Sequence, residues 1–329
     1  MPDTANLLYY VENGNAALRD KDYLGAAIYF WEAIQCGEHG DFYGGVQTAM
    51  EAAKNAKCSF DNIRKKHFPP IALSKSAYIM GCQCVKQMWL NKYEYDCRQI
   101  SKETQAKFDR GHTIGALAQQ LFPNGIDASS DSASHFRDRL QAKSPLLVPN
   151  LPFFLKSRTW AKKTTNLISG NERYIYEAAF INDSVFAAVD ILSCDNGRNI
   201  AYEVKSSEAI SDVYLDDCAL QYYVINHNLR LSDFCIVYLN EEYLSTIGIE
   251  AANLTMENCD INKLFIVKSV MPEIEARQDE VIKNIRKFKA ILKDRYSEPK
   301  INVGAQCDDP YECPFKQYCN RRDYDFNIW

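Results

Sequence analysis

Val185-Phe186-Ala187-Ala188-Val189-Asp190-Ile191-Leu192, followed after Asp195-Asn196-Gly197 by Ile200-Ala201-Tyr202-Glu203-Val204-Lys205-Ser206, decides how this chain folds. Apolar side chains recur in both runs with the period of a strand. Asn-Gly between them favours a tight turn, because both of its residues tolerate positive φ. The segment therefore reads as a β-hairpin. Side chains two apart on a strand share a face, so Glu203 and Lys205 point the same way. The hairpin brings Asp190, expected at the end of its strand, alongside them. Two converging carboxylates repel unless a cation or water neutralises them. Oxygen donors suit a hard divalent ion, Mg²⁺ or Mn²⁺. Such an ion polarises a phosphoryl oxygen and acidifies a bound water, while Lys205 orients that water or stabilises developing charge. The chemistry expected is in-line hydrolysis of a phosphodiester. A surface ion pair would use the same three residue types.

Outward from the hairpin, residues 174–180 alternate as another strand. Asp212–Asn226 has helical spacing, 234–239 and 264–270 read as strands, and 272–294 as one long amphipathic helix. Nearer the N-terminus, Ser74 or Ser76 caps a helix running to residue 90. A second helix, 108–122, is stopped by Pro123-Asn124-Gly125. Residues 127–143 look helical, and Pro145, Pro149 and Pro152 break up the next stretch of chain. The tail from Gly304 is loop-like. The pattern is α+β, with helices around one central sheet.

Residues 5–56 have helical spacing, with a possible third helix at 41–56. Gly14, Ala26, Phe30 and Ala33 fall where a tetratricopeptide repeat (TPR) places small and aromatic residues. A single copy cannot bury its own face, so it docks on the rest of the chain or on a protein partner. A plain helical hairpin fits the same spacing. His67-Phe68-Pro69-Pro70 reads as a linker. The organisation expected is a helical N-terminal segment, 1–66, and a core, 71–322.

The chain has 329 residues, 47% hydrophobic and 25% charged, which excludes disordered and fibrous classes. There is no membrane-length apolar run and no signal-peptide pattern at Met1-Pro2-Asp3-Thr4, so a cytoplasmic protein is expected. Net charge is −5, but it is unevenly spread. Residues 1–60 hold four basic and eight acidic side chains, and residues 61–110 hold ten basic and five acidic. Between 137 and 164, Arg137, Arg139, Lys143, Lys156, Arg158, Lys162 and Lys163 face Asp138 alone. A basic middle in an acidic chain suits a phosphate-binding groove, although a solvated face has the same composition.

Twelve cysteines are many for a chain expected in a reducing compartment, and most read as small buried side chains. Cys307, Cys313 and Cys319 are regularly spaced, with Pro310 and Pro314 fixing turns between them. Three thiolates need a fourth ligand for a tetrahedral site or a cubane cluster. Cys36, Cys58, Cys97, Cys194, Cys218, Cys235 and Cys259 show no ligand spacing.

Several motifs together resemble the PD-(D/E)XK nuclease superfamily in its RecB-like branch. They are Leu73-Ser74-Lys75-Ser76, Gln83-Cys84-Val85-Lys86-Gln87-Met88-Trp89-Leu90, the helix at 108–122, Glu177-Ala178-Ala179-Phe180, Val189-Asp190, Glu203-Val204-Lys205, Gln221-Tyr222-Tyr223 and the terminal cysteines. Within that branch the chain is most similar to iron–sulfur exonucleases associated with CRISPR loci, and to related bacterial proteins of unassigned role. The resemblance covers 71–322 and implies a restriction-endonuclease-like mixed sheet. It implies that Asp190 and Glu203, with the Val204 carbonyl, bind catalytic Mg²⁺ or Mn²⁺. It also implies that Lys205 serves the water and that Gln221 places the substrate strand; Tyr222 and the seven basic residues between 137 and 164 are candidates for contact with DNA. In the family a His or Glu on the 111–118 helix adds a ligand. Here those positions are Gly115 and Ala116, and His112, on the same helix face, is the candidate substitute, with a purely structural histidine as the alternative.

The family's fourth cluster ligand falls on Cys84, with Cys82 as rival. A [4Fe-4S] cluster on Cys84, Cys307, Cys313 and Cys319 would clip the first core helix to the tail. Zinc on the same thiols is the alternative. The function expected is a Mg/Mn-dependent deoxyribonuclease acting on single strands or ends. The alternatives are a catalytically weak nucleic-acid-binding scaffold and a zinc-stabilised interaction protein.

Overall fold

Strand alternation from residue 174 to 205 builds the centre of a seven-stranded mixed sheet in the computed structural model, which describes residues 4–20, 26, 29, 30, 72–129 and 151–326. The chain divides into two compact units, residues 1–71 with 130–163 and residues 72–129 with 164–329.

In the first unit, α1 is Thr4–Arg19, and Ala26, Tyr29 and Phe30 are also helical. Ala26 and Phe30 are buried. A Cβ at Gly14 would stand 2.8 Å from the Phe30 ring, so a small residue is needed there. Ala33, the 41–56 helix, the 67–70 linker, Cys36 and Cys58 lie outside the described residues.

The second unit begins with β1 (Leu73–Ser74), α2 (Lys75–Gln83), α3 (Val85–Tyr93), α4 (Lys102–Ala118) and β2 (Ile126–Asp127). Helix α5 (Leu151–Ser169) enters it from the first unit and leads to β3 (Tyr174–Asn182), β4 (Val185–Asp195) and β5 (Arg198–Lys205). Then come α6 (Asp212–Asn226), β6 (Asp233–Leu239), α7 (Glu241–Ile247), α8 (Ile261–Leu264) and β7 (Phe265–Ser269). Helices α9 (Met271–Glu275), α10 (Gln278–Ile291) and α11 (Lys316–Phe326) close the unit.

The strand order is β2-β3-β4-β5-β6-β7, with β1 paired to β4. Strands β3, β4 and β5 are antiparallel neighbours. Their turns place Asp183 and Ser184, then Asn196 and Gly197, at positive φ, as two-residue hairpins require. Strand β6 runs parallel to β5, and the crossover is α6. That helix buries Cys218, Ala219, Leu220, Val224 and Ile225, while β6 buries Phe234, Ile236 and Val237. Both are apolar enough to be covered on more than one side.

Several expected boundaries move. The helix expected to run to residue 90 breaks at Cys84, which is extended at φ −159° and ψ 115°. Ser74 is its cap, accepting from the Ala77 N–H at 3.2 Å. Helix α4 starts earlier than 108 because Ser101 caps it, accepting from the Thr104 N–H. Residues 126–127 form a strand, and 130–150 lie outside the described residues. Pro152 does not disrupt α5, because it sits in the first helical turn, where its missing N–H costs nothing. The 272–294 helix is two helices, separated at Ala276 and Arg277. The tail is helical from Lys316, so Cys319 lies on α11. Asp190 lies within β4, which continues to Asp195, rather than at its end. Among the described residues no helix is long and apolar enough to cross a membrane.

Candidate active site

The hairpin registers gather carboxylates on one face of the sheet. Ala178 pairs with Val189 and Tyr176 with Ile191, so Glu177 lies across from Asp190. Ile191 pairs with Tyr202, so Asp190 neighbours Glu203 on the other side. The Val204 N–H donates to Asp190 Oδ2 at 2.6 Å. Glu177 has a φ of 53°, an uncommon conformation for a non-glycine residue in a strand.

Two lysines enter this group. Lys205 Nζ lies 2.7 Å from Glu203 Oε1 and 2.6 Å from Asp217 Oδ2. Lys75, the first residue of α2, lies 3.0 Å from Glu203 Oε1 and 4.0 Å from Asp217 Oδ1. Gln221 donates from Nε2 to Asp217 Oδ1 at 3.2 Å, one helical turn away on α6. Glu203 is 2% exposed and Gln221 is fully buried. Glu203 Oε2 and Gln221 Oε1 are both buried without a hydrogen-bond partner.

Burial and the charge of Glu203 push the Asp190 carboxyl up to about 7, against the pull of Lys75. Burial also raises Glu177, although Lys75 opposes it. For Asp217, burial is outweighed by Lys205 and Lys75, which hold it well below the usual range. For Lys205, burial is outweighed by Asp217 and Glu203, so it stays an ammonium ion. Counting Glu177, Asp190, Glu203 and Asp217 against Lys75 and Lys205, four carboxylates face two ammonium groups, a formal charge of −2.

Of the residues expected here, Asp190, Glu203, Lys205 and Gln221 come together. His112 is exposed on α4, yet near enough for its charge to act on Glu177. A Cβ on Gly115 would meet nothing within 4 Å. Tyr222 turns away, its hydroxyl donating to Glu275 Oε1 at 3.2 Å. Arg137, Arg139 and Lys143 lie outside the described residues, as does the Lys156 side chain. Arg158, Lys162 and Lys163 are half-buried on the first-unit part of α5.

Sequence reasoning missed Lys75, Asp217 and Glu177 as members of the site. Asp217 had a signal, since it stands four residues before Gln221 on a helix and so shares its face.

A second grouping links α2 and α3 to the tail. The thiols of Cys307, Cys84 and Cys319 are near enough to act on Cys313, which burial pushes up to about 11. Burial raises Cys319 too, with Lys86 opposing and Cys307 and Cys84 adding. Cys82 lies elsewhere, among Asp216, Tyr78, Glu280 and Lys287. Of the two rivals, Cys84 is therefore the neighbour of the tail thiols. Trp89, Leu90 and Phe315 pack around Cys307, Cys313 and Cys319, and Cys97 packs against them. Gln83 Nε2 donates to the Gln306 carbonyl at 2.8 Å and the Tyr311 carbonyl at 2.6 Å. The indole of Trp89 donates to the Asp294 carbonyl at 2.9 Å. Among the described residues no three His, Cys, Asp or Glu side chains form a ready-made metal clasp.

No protein-family model matches the chain, and no curated protein matches it. Among solved structures, the crystal structure of SSO0001 aligns over 63% of this chain and 94% of its own, with 11% identity and a TM-score of 0.25. That likeness carries no argument about fold or chemistry.

Proposed function

We propose that the chain is a metal-dependent nuclease of the PD-(D/E)XK superfamily, RecB-like branch, hydrolysing phosphodiester bonds of DNA on single strands or free ends. One observation carries the reading: Glu203 is buried beside Asp190 with an oxygen that no hydrogen-bond donor meets. A buried carboxylate oxygen left without a donor is costly. The formal −2 around it matches one divalent cation.

Mg²⁺ or Mn²⁺ fits this donor set, with Asp190 and Glu203 as the residues that would hold it. Bound there, it supplies Lewis acidity and an acidified water. The remaining work belongs to the chain. Lys205 keeps its proton between Glu203 and Asp217, so it serves as a hydrogen-bond donor to the water or to a phosphoryl oxygen, not as a base. Asp217 fixes Lys205, and Gln221 fixes Asp217. The Val204 N–H restrains Asp190 through Oδ2.

Cys84, Cys307, Cys313 and Cys319 offer four soft donors in an apolar setting, which fits a [4Fe-4S] cluster or Zn²⁺ as a structural clip. The TPR-like N-terminal helices are read as a docking segment for a protein partner.

The test is Mn²⁺-dependent shortening of an end-labelled single strand. Wild type cleaves, and Asp190→Ala loses at least about 100-fold of the rate while keeping its circular dichroism and thermal transition. A variant that cleaves like wild type sinks the assignment. A second reading, a nucleic-acid-binding scaffold with weak catalysis, draws on α4, where Gly115 supplies no side chain at the family's extra ligand position. Tight binding with no cleavage by wild type under Mn²⁺ favours it.

A further inference from the structure

Residues 283–295 carry six basic side chains and one acidic, a net of +5 in a chain whose total is −5. Helix α10 holds most of them. Its inner face buries Val281, Ile285 and Phe288, with Leu292 buried just beyond its end. At 100° per residue, the opposite arc carries Lys283, Arg286 and Lys287, and extends to Lys293 past the helix end. Those four and Arg295 are exposed.

The partners distinguish these cations from their neighbours. Lys289, half-buried on the same helix, lies 2.8 Å from Asp183 at the β3–β4 turn. Arg277, just before the helix, pairs with Asp212 and Asp216. Among the described residues, Lys283, Arg286, Lys287, Lys293 and Arg295 make no ion pair. Within residues 278–296 the acidic side chains are Asp279 and Glu280 in the first turn and Asp294 at the end, and Asp216 lies near Lys287 around Cys82.

Beyond the helix stands Tyr296, 95% exposed. Its support is firm. The Tyr296 N–H donates to Asp294 Oδ1 at 2.9 Å, and the Asp294 carbonyl accepts from the Trp89 indole. An aromatic ring held out in water, one residue from Arg295 and three from Lys293, has no packing role.

We propose that the outer face of α10 and the turn after it bind single-stranded nucleic acid. Lys283, Arg286, Lys287, Lys293 and Arg295 contact phosphates, and Tyr296 stacks on a base. From Lys283 to Lys293 the rise is about 15 Å, long enough to follow several phosphates of one strand. A ring face accepts any base, which suits binding without sequence preference. An anionic membrane is the poorer partner, because the arc offers no large apolar side chain to insert. The proposal concerns binding alone and stands apart from cleavage.

The test uses the full chain in EDTA, where loss of cleavage cannot be confused with loss of binding. Fluorescence anisotropy reads the affinity for labelled oligothymidylate across a salt series. The triple variant Lys283→Ala/Arg286→Ala/Lys287→Ala binds at least about tenfold more weakly, and its salt slope falls by about 2. Tyr296→Ala binds about fivefold more weakly with an unchanged slope. Thermal melting confirms that these surface variants fold. A triple variant with wild-type affinity and slope overturns the proposal. So does wild-type protein that binds polyglutamate, or vesicles rich in phosphatidylserine, as tightly as the oligonucleotide.

Discussion

The carboxylate centre and the thiol corner both lie in the second unit, and they handle buried polarity in opposite ways. Around Glu203 the chain gathers full charges and pairs them, so that Lys75, Lys205 and Asp217 hold one another. Around Cys313 it gathers thiols packed against Trp89, Leu90 and Phe315, and burial pushes those of Cys313 and Cys319 up. The first arrangement is charged without any ligand, and removing one member leaves its partners exposed to the cost of burial. A charge-rich centre selects hard cations, and a thiol pocket in an apolar setting selects soft ones.

The sharpest way to break the contrast is Asp217→Ala. It strands Lys205 and Lys75 on the remaining carboxylates, and losing one partner of a buried pair costs about 3–5 kcal/mol. Urea unfolding in EDTA at neutral pH measures it, and a loss under about 1 kcal/mol means the network is not what holds the centre. Next is Cys313→Ser in protein as purified. It is expected to shed bound iron or zinc, read by elemental analysis, and to melt about 5 °C lower. Wild type that carries no iron or zinc as purified, or a variant that melts with it, reduces the corner to ordinary packing.

A smaller effect separates the two regions by pH. The folded Asp190 carboxyl titrates near 7 and the unfolded one near 3.8. Its protonated form therefore favours the fold at low pH, and that contribution is lost as pH rises from about 4 through about 7. Metal-free Asp190→Asn escapes this loss. Its melting temperature exceeds wild type at pH 7.5 and differs little from it at pH 4. An equal gap at both pH values removes titration from the explanation. The smallest effect is Cys82→Ser, which changes stability by less than about 0.5 kcal/mol and leaves bound metal unchanged. Metal loss in that variant exchanges Cys82 for Cys84 in the corner.

The strands of the sheet are readable because their signals are local. Alternation and Asn196-Gly197 fix a hairpin without help from the rest of the chain, and Asp190 and Glu203 follow from its register. Glu177 is within reach of the same arithmetic, one hairpin further back, but only once Asp183-Ser184 is known to be a turn. Lys75 is not, because it meets Glu203 across 128 positions of chain. The break at Cys84 is also hidden. Gln83-Cys84-Val85 has no glycine or proline, and the break coincides with the place where the Gln83 amide bonds the tail. The division of 272–294 at Ala276 and Arg277 has the same character, since Arg277 is held by Asp212 and Asp216 on another helix.

The bond from Trp89 to Asp294 spans 205 positions, and its consequence is one of timing. During synthesis the β3–β5 strands can pair soon after they emerge. Helix α3 must wait for the chain to lengthen to Asp294 and beyond, roughly 10–40 s at about 5–20 residues per second. Through that interval Trp89, Leu90 and the Cys84 thiol lack the surface that will cover them. The corner is thus the last part of the unit to close, and the nascent chain is most open to aggregation or oxidation there.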